Sequence, residues 1–141
     1  MQADNKKTNP RLRLSILVAD DQVDTVLTLA ELLRNEGHIV HTCTNASVVA
    51  KAVERFKPDI CILDIVMPGK TGFAIAREVL ALKLEHRPVL IAISGVFNSE
   101  ADEIVATSAG FDYFIRKAGD PSELLGLLNR LAGGSPPPDA A

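Results

Sequence analysis

Three aspartates and a lysine stand at the ends of apolar runs in this chain. Asp20 and Asp21 follow the run 14–19, Asp64 follows 59–63, and Lys117 follows 112–116. If folding gathers these ends, three carboxylates and one ammonium share a site. At an effective dielectric of about 20, two carboxylates about 5 Å apart repel by roughly 3 kcal/mol. Such a cluster is costly unless a cation joins it, and hard oxygen ligands of this kind suit Mg²⁺. Aspartate is common in strand-end loops, so the meaning lies in the combination and not in any one residue.

The elements that must position these residues can be read from hydrophobic pattern and punctuation. Leu14 to Ala19 is a short, nearly continuous apolar run, as expected of a strand buried on both faces. A helix is expected over 23–36, with Val26, Leu29, Ala30 and Leu33 on one face and Gly37 as its stop. His38 to Cys43 reads as a second strand. Asn45 is placed to cap a helix through Phe56, closed by Lys57-Pro58. Asp59 to Leu63 is the third strand, and Met67-Pro68-Gly69-Lys70 a loop. Thr71 caps a helix to about Lys83. Pro88 opens a strand from Val89 to Ile93, followed by Ser94-Gly95. Ser99 and Asp102 have capping-box spacing for a helix ending at Gly110. A fifth strand spans 112–116. Asp120-Pro121-Ser122-Glu123 starts a helix that runs to about Leu131.

Strands that alternate with helices pair in parallel through crossovers, giving one α/β domain with an open sheet covered on both faces. Ligands bind such sheets beyond the carboxyl ends of the strands. Asp20, Asp21, Asp64, Ser94 and Lys117 all fall there, whereas chance placement would scatter some to the opposite edge.

Composition narrows the function. The chain has 141 residues, 47% of them hydrophobic, enough for one domain with a real core. Its net charge of −3 without a basic stripe disfavours nucleic-acid binding. No apolar run has the length of a membrane span and the N-terminus lacks a signal-peptide core, so the cytoplasm is the expected location. Cys43 and Cys61 lack metal-site spacing and sit in apolar stretches, as reduced core thiols do. Residues 1–12 read as a disordered arm, 13–131 as the domain, and 132–141, with Pro136-Pro137-Pro138, as a flexible tail.

In combination, these residues resemble the receiver domain of bacterial two-component response regulators, the CheY-like superfamily. Asp20-Asp21 matches its acidic pair. Asp64, with Met67-Pro68-Gly69 following, matches its phosphoacceptor and loop. Ser94-Gly95 matches its hydroxyl residue and small neighbour. Phe114 falls at its switch aromatic and Lys117 at its lysine. The likeness covers roughly 13–131. It implies a flavodoxin-like (βα)5 domain with strand order 2-1-3-4-5. That order would set the cysteine strands on either side of the first, about 9–10 Å apart, beyond the reach of a disulfide.

The resemblance also implies roles. Asp64 would accept a phosphoryl group from a histidine kinase or a histidine phosphotransfer protein. Asp21 would bind Mg²⁺ directly and Asp20 partly through water, with an Asp64 oxygen and the Val66 carbonyl completing the protein's share. Lys117 would pair with Asp64 at rest and with the phosphoryl group afterwards. Ser94 would donate its hydroxyl, and Phe114 would move into the space Ser94 leaves. The docking face would be the region 99–131, toward an unknown target, as a monomer or a phosphorylation-dependent dimer. No helix-turn-helix or enzymatic segment follows residue 131, so output by contact is expected. Such a module catalyses only its own phosphotransfer and dephosphorylation.

Two departures from the family pattern carry expectations. Ala118 stands where a proline, often cis, is common. A cis bond to Ala would cost about 2.5–4 kcal/mol, so a trans bond and a differently shaped loop are expected. Val66 and Val96 stand where side chains influence hydrolysis, and neither can orient a water, so a long-lived aspartyl phosphate is expected. Two alternatives remain open: a receiver piece of a hybrid histidine kinase, and a flavodoxin-like hydrolase. The second is poorly served by these residues. An aspartyl-phosphate phosphatase wants a second Asp two positions after the nucleophile, and Asp64-Ile65-Val66 lacks it.

Overall fold

The computed structural model describes residues 13–95, 99–117 and 121–133. The arm 1–12, the tail from 134, Val96, the Ala118 peptide bond and the Asp120 cap lie outside the described residues. Five strands form one parallel sheet: β1 (Ser15–Ala19), β2 (Ile39–Cys43), β3 (Ile60–Asp64), β4 (Val89–Ser94) and β5 (Tyr113–Arg116). Their order is β2-β1-β3-β4-β5, as expected. Between and after them run α1 (Val23–Asn35), α2 (Val49–Phe56), α3 (Gly72–Ala81), α4 (Glu100–Ala109) and α5 (Ser122–Gly133).

The continuous apolar strands are explained by two cores, one on each face of the sheet. Alternate residues point to opposite faces. Leu17, Cys61, Leu63, Leu90 and Ala92 pack with α2, α3 and α4, through side chains such as Val53, Ile75 and Ala106. Ile16, Val18, Ile62, Ile91 and Ile93 pack with α1 and α5, through Leu33, Leu124 and Leu128. With no polar face left on the central strands, their polar residues are displaced to the strand ends.

Most boundaries follow the local chemistry. Thr71 accepts the Ala74 N–H at the start of α3. Ser99 and Asp102 form a complete capping box at α4. Gly110 ends α4 at φ 114°, a left-handed conformation that glycine adopts without a side-chain clash. Several boundaries shift by one or two residues, α3 ending at Ala81 rather than near Lys83. Asn45 caps a single 3₁₀ turn, Ala46–Val48, by accepting the Ser47 N–H, and α2 proper starts only at Val49. At the other end of the chain, α5 continues two residues past Leu131, because Ala132 still packs into the core.

β1 pairs Ala19 with Cys43 on one side and Leu17 with Cys61 on the other. Both thiols are free and buried. Burial, with Cys43 adding to it, pushes the Cys61 thiol up to about 12, so it stays protonated and unreactive at neutral pH. At the edge opposite the carboxyl ends, Arg87 donates to Asp112 (3.0 Å) and to the Gly110 carbonyl (2.9 Å), while Asp112 accepts the Leu90 N–H (2.8 Å). This latch ties the start of β4 to the start of β5. Among the described residues, no helix is long and apolar enough to cross a membrane.

His38 is buried before β2, and its Nδ1 accepts the Leu14 N–H at 3.1 Å. Burial holds the imidazole below its ordinary pKa, with Glu36 opposing. The unfolded chain therefore binds this proton more readily than the folded one. The contribution is fully present above about pH 6.5 and is lost as pH falls through that value toward the lower folded pKa. Between pH 7.5 and 5.5, the urea midpoint of the native chain should fall further than that of His38→Gln. Equal slopes would remove His38 from the acid sensitivity.

Candidate functional site

Strand pairing brings the polar residues together. Asp20 follows β1, Asp64 ends β3, Ser94 ends β4 and Lys117 follows β5. The register sets Asp64 beside Ile93 and Ser94 beside Arg116, and the Lys117 N–H donates to the Ser94 carbonyl at 2.8 Å. The lysine is thereby carried back over the sheet edge. Its Nζ donates to Asp20 Oδ2 at 2.8 Å and to Asp64 Oδ2 at 3.3 Å. Three strand tips, up to 97 residues apart in sequence, meet at one ammonium.

Each buried carboxylate divides its oxygens. Asp20 Oδ1 accepts the Gln22 N–H (3.0 Å) and Asp64 Oδ1 accepts the Val66 N–H (3.2 Å), while both Oδ2 atoms face Lys117. Asp20 is 4% exposed and Asp64 7%, so water does little to screen them from each other. Burial first, and then the Asp20 charge, raise the Asp64 pKa; the Val66 N–H and Lys117 oppose the rise. Burial pulls the Lys117 pKa down, but the hydrogen bond to Asp20 and the two carboxylate charges outweigh it, leaving the ammonium above its ordinary pKa. The lysine stays charged throughout the physiological range.

Asp21 is half-buried, and one oxygen from each of Asp20, Asp21 and Asp64 can lie within 4.8 Å of the others. This all-carboxylate set fits a hard divalent cation such as Mg²⁺ better than a softer metal. The Val66 side chain is 45% exposed beside Asp64. Ser94 is fully buried at the tip of β4. Phe114 of β5 pairs with Ala92 of β4 and is half-buried against the core under α2, α3 and α4. All of the expected site residues therefore lie at the carboxyl edge except Phe114, which sits within β5 three positions before Lys117. The lysine's shorter bond goes to Asp20 rather than to Asp64, the partner expected from the sequence.

One contributor escaped the sequence reading. Gly72 opens α3 directly against the backbone of Asp64, and its N–H donates to the Ile65 carbonyl at 2.8 Å. A Cβ at Gly72 would stand 2.7 Å from both the Asp64 carbonyl oxygen and Ile65 Cα. The glycine lets the helix start approach the strand tip that presents Asp64. Its only sequence signal was a glycine immediately after a capping threonine, a weak one.

The response regulator receiver domain model matches residues 16–129. The chain belongs to the response regulator receiver domain family. It is a signalling module of two-component systems rather than a classical enzyme. An uncharacterized 14.6 kDa protein of Leptolyngbya boryana is 32% identical over 125 residues, covering 89% of this chain and 95% of its own length. The aerobic respiration control protein ArcA of Escherichia coli (strain K12) is 31% identical over 109 residues, 77% of this chain but only 44% of ArcA. Among solved structures, the receiver domain of the sensor histidine kinase PA1611 from Pseudomonas aeruginosa PAO1 superposes with a TM-score of 0.73 at 24% identity. The match covers 85% of this chain and 98% of that one. That structure has a magnesium ion coordinated in its active site cleft. At this identity the likeness speaks for the fold.

The Gly72 contact yields a test. Gly72→Ala forces backbone apart beside Asp64 and should lose about 1–3 kcal/mol of stability in urea unfolding, as overpacking does. An unchanged midpoint would show that α3 can shift freely at this point.

Proposed function

We propose that this receiver accepts a phosphoryl group from a phosphohistidine onto Asp64. The observation that carries the reading is the Lys117 ammonium seated on two buried carboxylates at the tips of β1 and β3. Asp64 is the nucleophile. A carboxylate oxygen forms a bond to phosphorus as the P–N bond to the donor imidazole breaks, leaving an acyl phosphate and a free imidazole. The Val66 N–H orients that carboxylate.

Asp21 would hold Mg²⁺ directly and Asp20 partly through water, with an Asp64 oxygen and the Val66 carbonyl completing the protein's share. When bound, Mg²⁺ neutralises charge on the transferring group, the main demand of phosphoryl transfer. Lys117 exchanges carboxylate oxygens for a phosphoryl oxygen. Ser94 donates its hydroxyl to the same group, and Phe114 follows into the space that Ser94 vacates. Output is by contact at α4, β5 and α5. The sender is a histidine kinase or a histidine phosphotransfer protein, met in the cytoplasm.

Mass spectrometry tests the assignment. Acetyl phosphate with Mg²⁺ should add about 80 Da, one phosphoryl group, and Asp64→Asn should abolish the gain. Catalytic consumption of acetyl phosphate with no mass gain would favour a hydrolase instead.

Phosphoryl lifetime is set beside Asp64 by Val66, whose exposed side chain offers no hydrogen bond to an attacking water. Val66→Asn should therefore speed loss of the added mass. An unchanged decay rate would rule out this position as its determinant.

A further inference from the structure

We propose that the cleft between α1 and α5 binds a small uncharged lipophile, held at its mouth by one acceptor oxygen on Lys117, and that occupancy opposes phosphorylation of Asp64. The binding rests on the cleft itself; the opposition deepens the phosphoacceptor reading and rests on it.

The cleft follows from the spacing of α1. Val26, Ala30 and Leu33 are the buried residues that seat this helix on the sheet. Thr25, Thr28, Leu29 and Leu32, also at helical spacing, form a second stripe that lines one side of the cleft. Leu124 of α5 lines the other. Four adjacent strands supply the floor through Val18, Ile62, Ile93 and Ile115. The volume is about 410 Å³, within the roughly 300–1,000 Å³ of small-molecule sites. Val18 and Ile62 are only 1% exposed, so the floor is sealed. The occupant therefore lies along the half-buried Leu29 and Leu32 and does not enter the core. From Thr25 to Leu32 the helix rises about 10 Å, which sets the length of chain or ring system that the cleft can cover.

The chemistry of the mouth selects the occupant. A lysine ammonium has three N–H donors. Among the described residues, Lys117 commits two of them, to Asp20 and Asp64. One N–H is left for an oxygen arriving from the cleft. A full charge on the ligand is disfavoured. Asp20, Asp24 and Asp64 line the cleft together with Arg116 and Lys117, so both signs crowd its mouth. A carboxylate would meet the aspartates, and an ammonium would meet Lys117. An uncharged ketone, ester or alcohol avoids both repulsions, and its oxygen still accepts from the ammonium. The walls suit an apolar body: apart from the two threonines of α1, the side chains below the mouth are aliphatic.

The ammonium links the cleft to the acyl phosphate. In the proposed phosphotransfer Lys117 turns to a phosphoryl oxygen on Asp64, and Nζ cannot lean over Asp64 and into the cleft at once. Ligand and phosphoryl group therefore draw on one side chain, and each weakens the other's hold.

The test titrates the full ¹⁵N-labelled chain with 2-octanone, followed by amide ¹H–¹⁵N spectra, with octanoate and octylammonium as charged counterparts. Saturable shifts should cluster at residues lining the cleft, in α1, at Lys117 and at the start of α5. The counterparts should need at least about tenfold higher concentration, because each must desolvate a charge. Thr28→Phe, which brings a ring into the cleft from an exposed position, should weaken 2-octanone about tenfold, as filling the space does. Leu29→Phe should act likewise, and the dispersion of the same spectra shows that each variant is folded. Ile104→Ala, on α4, should leave binding unchanged. Saturating 2-octanone should slow the mass gain from acetyl phosphate and Mg²⁺ about fivefold in the native chain. Shifts that scatter or never saturate, equal binding of either counterpart, equal binding by both phenylalanine variants, an equal loss with Ile104→Ala, or an unchanged rate of mass gain would each overturn the proposal. A chain that gains no mass even without 2-octanone would instead indict the phosphoacceptor reading, and the spectra would still decide whether the cleft binds.

Discussion

The site depends on a single balance of charge. Asp20 and Asp64 are nearly inaccessible to water and close to each other, and the Lys117 ammonium is what makes their shared ionisation tolerable. Two buried carboxylates without a cation would push one proton back onto the pair. The lysine therefore favours the ionised form of Asp64, the form that the proposed phosphoryl transfer needs. The same position places the ammonium where a phosphoryl oxygen would need it. Its closer contact with Asp20 matters in this respect. Lys117 is anchored chiefly on Asp20, so Asp64 is only partly engaged.

This balance is imposed by the sheet. The central strands are buried on both faces, in two separate cores, and offer no interior place for a charge. Polar groups survive only at the tips, and parallel pairing aligns those tips on one edge. Backbone hydrogen bonds then fix the details. The Val66 and Gln22 N–H groups each occupy one carboxylate oxygen, and the Ser94 carbonyl fixes the residue that carries the ammonium. The close approach at Gly72 keeps the start of α3 against the strand that presents Asp64.

The same connections give a physical route from chemistry to surface. Ser94 and Lys117 are joined by a backbone hydrogen bond at the tips of β4 and β5, and Phe114 lies on β5 just below them. Phe114 reaches inward to the core and outward to a groove beside α4 and α5. In the proposed mechanism, a change in what Lys117 and Ser94 contact would reach a side chain that helps to shape an exposed, partly apolar surface. No long chain of intermediates is needed, because the distance along β5 is only a few residues.

Much of this was legible in the residues themselves. Continuous apolar runs ending in Asp20, Asp64 and Lys117 read as doubly buried parallel strands, and the caps at Thr71 and Ser99 are local chemistry that a sequence displays directly. The site residues were legible for the same reason: exclusion of charge from a two-faced sheet leaves the strand ends as their only place. Tertiary structure alone decided the rest. Which carboxylate Lys117 prefers, how closely Gly72 may approach Asp64, and how Arg87 latches β4 to β5 all depend on distances between segments remote in sequence. A pattern of residue types carries the periodicity of an element and the polarity of its ends. It does not carry the tenths of an ångström by which packed backbones settle against each other, and those set the geometry of the charges.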